Sequence, residues 1–288
     1  MLVPHPSTRG PPPQTEHRER SPDEEVGRTY GTGHRLGTWH RSGGGLKFAQ
    51  EGARVVVNDL DEAPALETVE LIKDLGGSAV ACVGSVTDGD FADRFVQAGV
   101  DSFGGVDIVV NNAGYTWDSV IQKMSDEQWD AILDIHLKAP FRILRAAQPW
   151  FKKLPVDHHR KVVNVSSIAG LNGNAGQVNY SAAKAGIVGM TKTLAKEFGR
   201  YNVNVNAVAF GLISTRLTEA PAGDGSIDID GRSIKVGVNP DLLAAFERGI
   251  PLGRAGRPDE AAGAVYSLCI PETDYVSGQT LVCDGGGM

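Results

Sequence analysis

A tyrosine and a lysine stand four residues apart in the stretch NYSAAKAG, at Tyr180 and Lys184. This spacing places both side chains on one face of a helix. A neighbouring ammonium group favours the phenolate and lowers a phenol pKa that is ordinarily about 10, so Tyr180 could act as an acid or base near neutral pH. On its own, the pair is explained better by an ordinary exposed helix. The case for chemistry depends on the motifs around it.

The elements that position this pair follow from β-branched apolar runs that alternate with helical patterns from Ala53 onward. The alternation predicts a single-domain, doubly wound α/β fold of the Rossmann type, with a parallel sheet covered on both faces. The predicted strands are Ala53 to Asn58, Ser78 to Val83, Val106 to Asn111, Lys161 to Val165, Asn202 to Ala209 and Gln279 to Val282. The predicted helices are Ala63 to Leu75, Asp88 to Phe103, Ser125 to Lys153, Tyr180 to Tyr201 and Pro258 to Leu268. Residues 28–288 would form the domain, and the proline-rich residues 1–27 are expected to be a disordered or mistranslated tail.

Polar motifs follow several predicted strands, at the edge where a doubly wound sheet binds its ligands. These motifs are NNAG at 111–114, SSIAG with Ser166 and Ser167, and NAVAFGLIST, and they are joined by YSAAK and DYVSGQTLVCDGG. Together they resemble the classical short-chain dehydrogenase/reductase family over Lys47 to Gly287. Within that family, GNAGQVNYSAAKAGIVG and VVVNDLD are most similar to 3-oxoacyl-thioester reductases and (3R)-hydroxyacyl-CoA dehydrogenases.

The resemblance implies a mechanism for the catalytic residues. Tyr180 would donate a proton to the carbonyl oxygen during reduction, or accept it from the alcohol during oxidation. Ser167 lies thirteen residues before the tyrosine, so it is selected over Ser166 to bind the same oxygen. Lys184 would bind the nicotinamide ribose and keep the pKa of Tyr180 low. Hydride would pass directly between the nicotinamide and the substrate carbon, without a metal.

One catalytic position departs from the common pattern of the family. His136, in the stretch DIHLKAPF, stands where many members have an asparagine that holds a water in a proton relay. An imidazole both donates and accepts hydrogen bonds, so His136 could serve a related relay, and the resemblance to the hydroxyacyl-CoA dehydrogenase branch is compatible with a histidine here. A packed helix histidine without a part in catalysis is the alternative, and the sequence favours neither.

NAD, rather than NADP, is the expected cofactor. Asp59 follows the first predicted strand and would accept hydrogen bonds from the adenosine ribose, while its charge would repel a 2′-phosphate. A helix cap is the alternative role, and Asp61 is a competing carboxylate. Ser85 replaces the aspartate with which the family often binds adenine. The other expected cofactor contacts are Val86, Asn112, Ala113, Gly114, Tyr180, Lys184, Ile213 and Thr215.

The segment near 215–251 is polar and glycine-rich and then helical, which resembles the family's substrate lid; a solvated insertion is the alternative. The expected substrate is a small-molecule carbonyl or alcohol, first of all a 3-oxoacyl or 3-hydroxyacyl thioester. A steroid, a sugar or a simple secondary alcohol remains open. So does a non-catalytic relative, because the asparagine and the glycine loop of the family are replaced.

Composition excludes several other classes of partner. The 288 residues carry a net charge of −7, which argues against nucleic acid and against a membrane surface. No apolar run approaches the roughly 20 residues that span a bilayer. The three cysteines are far apart, unlike those of a zinc site or a disulfide framework, and a cytoplasmic protein is expected. Apolar residues on more than one face of the helix after Tyr180 predict a homo-oligomer, which in this family is commonly a tetramer.

The phosphate-binding glycine loop of the family is missing from GTGHRLGTWHRSGGG, residues 31–45. Counting back from LKFAQEGA, its three glycines fall at Arg35, Trp39 and Arg41, whose side chains would obstruct the pyrophosphate. Read one base later, the codons of Trp39 and His40 force a glycine, and the neighbouring codons permit VTGSGLGIG followed by RAVA. We therefore hypothesise that residues up to about Gly45 come from the wrong reading frame, through a sequencing error, a gene-model error or a real frameshift.

We expect the chain as it stands to bind NAD weakly, and a chain with VTGSGLGIGRAVA at 33–45 to bind it at least about tenfold more tightly, because glycines let the backbone approach the pyrophosphate. Calorimetry or NADH fluorescence measures both affinities, and resequencing across these codons tests the frame directly. Confirmation of the present frame, together with tight NAD binding by the present chain, would refute the hypothesis.

Overall fold

The computed structural model describes residues 29–32, 44–154, 157–214, 226–229, 232–235 and 240–288. Its strands are β1 (Thr29–Thr32), β2 (Arg54–Val57), β3 (Ser78–Ala81), β4 (Ile108–Asn111), β5 (Arg160–Ser167), β6 (Val203–Phe210), β7 (Ser226–Ile229), β8 (Arg232–Lys235) and β9 (Thr280–Cys283). Its α-helices are α1 (Gly44–Gln50), α2 (Glu62–Asp74), α3 (Phe91–Phe103), α4 (Asp126–Leu133), α5 (Ala139–Lys153), α6 (Ala169–Asn172), α7 (Val178–Phe198), α8 (Pro240–Gly249) and α9 (Pro258–Ser267). Shorter helical segments are Ile121–Lys123, Asp134–Lys138, Gly199–Tyr201 and Pro271–Thr273.

Two parallel sheets form the centre of the fold. One has the strand order β1-β2-β3, and the other has the order β4-β5-β6-β9. β1 also contacts β4, so the two sheets lie side by side. The chain winds outward in both directions from these two strands, and the predicted α/β class with parallel strands is confirmed. At such a reversal of strand order, the carboxyl ends of the strands leave a crevice for ligands.

Side chains that alternate along the strands pack into two cores, one on each face of the sheet. Val162 and Val163 are adjacent on β5 and belong to opposite cores, because successive strand residues point to opposite faces. The first core contains residues of α3, α5 and α7, and the second contains residues of α1, α2 and α9. This alternation also directs Asn164 and Ser166 toward the face of the sheet that carries α7.

A chain of buried polar side chains links β4, β5 and α7 below the strand ends. The side-chain amide of Asn111 donates to Asn164 Oδ1 at 2.8 Å, and the amide of Asn164 donates to Thr191 Oγ1 at 2.9 Å. Thr191 in turn donates to the carbonyl of Ile187 at 2.8 Å. Because buried polar groups are costly unless paired, this chain favours a single arrangement of the two strands and the helix.

The predicted helix from Ser125 to Lys153 is interrupted in the structure. Ser125 caps its start and shares a capping box with Gln128, as a serine at this position favours. The five residues Asp134–Lys138 then form a π-helical turn, in which the N–H of Ala139 bonds the carbonyl of Asp134. This turn contains His136. A π-turn inserts one extra residue, so it rotates the following helix relative to the preceding one.

Two other features were not predicted. The strand β1 lies ahead of Ala53, where the sequence analysis placed no strand. The strands β7 and β8 pair antiparallel within the expected lid, before α8. Their sequences, SIDI and RSIK, alternate apolar and polar residues and are separated by Asp230 and Gly231, which is a typical hairpin signal. The hairpin was therefore readable, whereas the four residues TYGT of β1 carry little strand pattern.

The apolar pattern of α7, on which the expected homo-oligomer depended, is largely explained within one chain. Ile187 and Phe198 are buried, and Met190 and Leu194 pack against the first core. Val188 is half-buried. The oligomeric state stays a prediction. In the part of the chain that the structure describes, no helix is long and apolar enough to cross a membrane.

Candidate active site

The catalytic serine and tyrosine expected from the sequence meet where β5 ends and α7 begins. Ser167 is the last residue of β5, and Tyr180 lies in the first turn of α7. The hydroxyl of Ser167 lies beside the phenol of Tyr180, whose pKa it lowers. The Ser167 hydroxyl accepts from the N–H of Ala169 at 3.2 Å and donates to the carbonyl of Phe210 at 3.4 Å. The two hydroxyls are therefore neighbours at the end of β5.

Lys184 lies one helical turn after Tyr180 and is 3% exposed. Its Nζ donates to the carbonyl of Val165 on β5 at 2.6 Å and lies 5.6 Å from the centroid of the Tyr180 ring. Burial lowers the pKa of Lys184 from its usual value to about 7, because the core disfavours the charged amine. At neutral pH this amine is therefore divided between its charged and neutral forms.

The expected lowering of the pKa of Tyr180 by Lys184 is wrong for this structure. Burial raises the pKa of Tyr180 to about 12, the hydrogen bond from Ser167 lowers it, and the carboxyl of Asp118 raises it further. Desolvation dominates because a buried phenolate loses the hydration that stabilises it in water. At neutral pH the phenol thus keeps its proton, which is the form needed to donate one.

His136 is packed edge-on against Tyr180. Its ring centroid lies 5.0 Å from that of Tyr180, at an interplanar angle of 87°. His136 Nε2 is 2.7 Å from the carbonyl of Tyr115, which can only accept, so Nε2 carries the proton and Nδ1 is the acceptor. Nδ1 is buried and has no hydrogen-bond partner in the described structure. Burial, and after it the charge of Lys184, lowers the pKa of His136 well below its usual value, so the ring is neutral at neutral pH.

Gly114, the last residue of NNAG, leaves the space that this imidazole occupies. A Cβ at Gly114 would lie 1.8 Å from His136 Cε1 and 2.4 Å from Nδ1, closer than any real contact. The glycine is therefore required by close approach of the histidine. The contact of Gly114 with a cofactor stays a prediction.

Sequence reasoning missed the residues that hold Tyr180 from outside. Asn179 is fully buried and accepts from the N–H of Tyr180 at 2.8 Å, and its amide donates to the carbonyls of Trp117 and Gln128 at 3.2 and 3.1 Å. Asp118 accepts from the amide of Gln177 at 2.7 Å. These bonds join the loop after β4 to the loop before α7. The only sequence signal was a polar residue directly before the tyrosine.

The residues expected to contact the adenosine half of a dinucleotide gather at the ends of β2, β3 and β4. Asp59 is buried two residues after the end of β2 and accepts from the N–H of Asp61 at 3.1 Å, an arrangement that also fits the alternative of a local cap. Val86 is buried nearby. A cavity here is lined by Asn58, Val86, Asn112 and Ala113, together with apolar residues of α3, β4 and α5 and of the π-helical turn.

The strand-end crevice has donors and acceptors suited to a nicotinamide dinucleotide. The side-chain oxygen of Asn58 is buried without a hydrogen-bond partner, and Lys184 presents a buried amine with no ion pair among the described residues. Ile213 is buried after β6 and bridges Gly256. Thr215 lies outside the described residues, as do 33–43, where the phosphate-binding turn would be. No described group of three or more His, Cys, Asp or Glu side chains could hold a metal ion.

Comparison with known proteins places the chain in a family. The model of a family described as enoyl-(acyl carrier protein) reductase matches residues 45–287. The chain therefore belongs to the short-chain dehydrogenase/reductase family, whose members are oxidoreductases that act on CH–OH groups with a nicotinamide cofactor.

Its curated relatives include bacterial enzymes of similar length. The 3-oxoacyl-[acyl-carrier-protein] reductase of Thermotoga maritima is 39% identical over 241 residues, which cover 84% of this chain and 90% of that protein. The enzyme of the same name from Synechocystis is 37% identical over 84% of this chain and 89% of its own. That of Vibrio cholerae is 36% identical over 83% and 88%.

Replacing Gly114 by alanine should destabilise the fold by about 1–3 kcal/mol, because the added methyl overlaps the His136 ring in a packed core. Guanidinium unfolding measures the change. Gly263→Ala, whose added Cβ meets no atom within 4 Å, is the matched control. His136→Ala in the Gly114→Ala chain should recover much of the loss. Equal stability of Gly114→Ala and the parent chain would contradict this account of the glycine.

Proposed function

We propose that this protein reduces a 3-oxoacyl thioester with NADH, or runs the reverse oxidation of a 3-hydroxyacyl thioester. The hydroxyl of Ser167 beside the phenol of Tyr180, next to the buried amine of Lys184, is the observation that carries the proposal. The thioester is supported by the three relatives named for action on 3-oxoacyl groups bound to acyl carrier protein.

The catalytic residues divide the work of the reduction. Ser167 donates to the substrate oxygen and stabilises the charge that develops there as hydride arrives from the nicotinamide. Tyr180, protonated at neutral pH, gives its proton to the same oxygen. Lys184 lies close enough to stabilise the resulting phenolate when it is charged, and its amine would also meet the nicotinamide ribose. Asn112, Ala113, Gly114 and Val86 would line the cofactor, with Ile213 and Thr215 at the carboxamide end.

His136 would hold the water through which a proton returns from solvent to Lys184. Its unpartnered Nδ1 is an acceptor in the core beside both Tyr180 and Lys184, so a water held there would connect the lysine to solvent. Because the ring is neutral and fixed by Tyr115, it can accept this hydrogen bond without titrating at neutral pH. The same facts fit a packed histidine with no relay, and that reading is the alternative.

A different ketone substrate is the second candidate within the family, since the expected lid at 215–251 gives no substrate signature. A non-catalytic relative is the candidate outside catalysis, and the arginines and tryptophan in place of the glycine loop are the observation that favours it. NADH binding separates these classes. A chain that does not bind NADH even with the loop sequence restored would be a non-catalytic relative.

Tyr180→Phe should abolish turnover and leave NADH affinity nearly unchanged, because the phenol donates the proton while the ring supplies the packing. Turnover is followed as NADH oxidation with acetoacetyl-CoA, beside a panel of steroid, sugar and simple ketones. It is measured in whichever chain binds NADH, the present one or the one with its loop restored. The fully exposed Tyr275 gives the matched control, Tyr275→Phe. Near-normal turnover of Tyr180→Phe would refute the assignment, and no preference for the thioester would refute the substrate.

Asp59→Asn should reduce the preference for NAD over NADP by about tenfold, because it removes the charge that repels a 2′-phosphate and keeps an acceptor for the ribose. The ratio of kcat/KM for the two cofactors measures this preference. Asp61→Asn is the control, since Asp61 is the competing carboxylate. An unchanged ratio in Asp59→Asn, or a larger change in Asp61→Asn, would place the determinant elsewhere.

A further inference from the structure

Two residues, one on β5 and one on α6, contact the backbone of α7 at Lys184. The hydroxyl of Ser166, which is 1% exposed, donates to the main-chain carbonyl of Lys184 at 2.8 Å. Helical carbonyls already accept one bond from the following turn, so this hydroxyl uses the second lone pair of the oxygen. The bond is therefore additional to the helical hydrogen bond that the Lys184 carbonyl already accepts, and it connects α7 to the end of β5.

Gly170 approaches the same point from α6. A Cβ on Gly170 would lie 2.6 Å from the carbonyl carbon of Lys184, 2.7 Å from its Cβ and 2.8 Å from the nitrogen of Ala185. Each distance is to backbone or to the first side-chain atom, so no flexible side chain could move aside. Only glycine at 170 lets α6 touch α7 here.

Four consecutive residues of β5 meet α7 in this region. Asn164 bonds Thr191, the carbonyl of Val165 accepts from Lys184 Nζ, Ser166 bonds the Lys184 carbonyl, and the Ser167 hydroxyl lies beside the phenol of Tyr180. Of these, Ser166 alone holds the main chain from which the lysine side chain extends. A shift of α7 at this point would move the amine of Lys184 away from the carbonyl of Val165. It would also rotate Tyr180, which lies one helical turn before Lys184.

We propose that Ser166 and Gly170 are positioning residues that clamp the main chain of Lys184, so that its buried amine is held against the carbonyl of Val165. Only the effect of this clamp on turnover rests on the proposed function. The positioning of the Lys184 main chain follows from the contacts described above. Ser166, set aside in the sequence analysis as a competitor of Ser167, thereby gains a role of its own.

The consequence of loosening the clamp is a change in the environment of the amine. If α7 moves off β5, Nζ loses its acceptor and water reaches it, so the charged form is penalised less. The ionisable side chains that face Lys184 among the described residues are His136 and Tyr180. Since both are uncharged at neutral pH, neither would mask the effect.

The test follows the ionisation of Lys184 by NMR of the full chain with 13C-labelled lysine, its signal identified by its loss in Lys184→Arg. In the parent chain the amine should titrate near its value of about 7. In Ser166→Ala and in Gly170→Ala the pKa should rise by about one unit or more, toward the ordinary value of about 10.4. Circular dichroism and thermal unfolding show that each variant is folded.

Two matched controls make the result specific. Thr68→Val removes a buried hydroxyl that bonds a carbonyl of α2, and Gly189→Ala adds a methyl to α7 where no atom lies within 4 Å. Both should leave the titration of Lys184 unchanged. An unchanged titration in Ser166→Ala would overturn the proposal, and so would an equal shift in both controls. If Gly170→Ala does not fold, Ser166→Ala decides.

Turnover distinguishes the clamp from the proposed function. In a chain that reduces acetoacetyl-CoA, Ser166→Ala should lower kcat about tenfold and leave KM nearly unchanged, because the substrate oxygen is still bound by Ser167. If the parent chain shows no reductase activity, the function fails while the NMR titration still decides the clamp. If the titration shifts and kcat does not, the role in turnover is refuted.

Discussion

A buried amine without an acidic partner is the constraint on which the site depends. Among the described residues Lys184 forms no ion pair, and the single hydrogen bond of its Nζ that the structure shows goes to a backbone carbonyl at the end of β5. Such an amine is expensive to bury, so its position requires support from every side. The support comes from β5, α6 and α7 together. Their mutual packing, rather than the side chains alone, sets the chemistry.

Desolvation shifts the two acid/base groups in opposite directions. It raises the pKa of Tyr180 to about 12 and lowers that of Lys184 to about 7. At neutral pH the phenol is therefore an acid that holds its proton, and the amine is a group whose charge can change with small alterations of its surroundings. A bound partner that brought hydrogen bonds to the amine would favour its charged form.

Much of the site followed from spacing, and the parts that did not follow have physical reasons. Parallel strands end at one edge, so motifs after strands had to meet, and the structure brings Ser167, Tyr180 and Lys184 together as expected. The direction of the Tyr180 shift was wrong because burial depends on tertiary packing that spacing does not contain. The π-turn at His136 is a matter of hydrogen-bond register, which side-chain periodicity does not reveal. The hairpin of β7 and β8, by contrast, could have been predicted from Asp230 and Gly231, which form a typical turn sequence between two alternating segments.

The histidine and the glycine opposite it form one unit. His136 fills the volume that Gly114 vacates, and its Nδ1 is left as a buried acceptor beside the tyrosine. The π-turn brings the ring to this place by adding a residue to the helix. A smaller amide in the same position would leave part of this volume empty. The space beside Gly114 and the contact with Tyr180 therefore fit a histidine at position 136, where the family commonly has asparagine.

The likeness to the family begins at residue 45, which is where the hypothesis of a shifted reading frame places the return of the correct register. From that point the structure brings the strand ends, Ser167, Tyr180 and Lys184 together as the family resemblance predicts. A chain losing its function would be expected to change its buried lysine, Lys184, and its tyrosine, Tyr180, as readily as a loop. The three departures in the glycine loop, Arg35, Trp39 and Arg41, lie close together within residues 35–41, as a frame error that changes a whole run would produce, whereas Ser85 and His136 are isolated replacements. The distribution of the departures along the chain thus favours an error in the reading of an active enzyme over the decay of one.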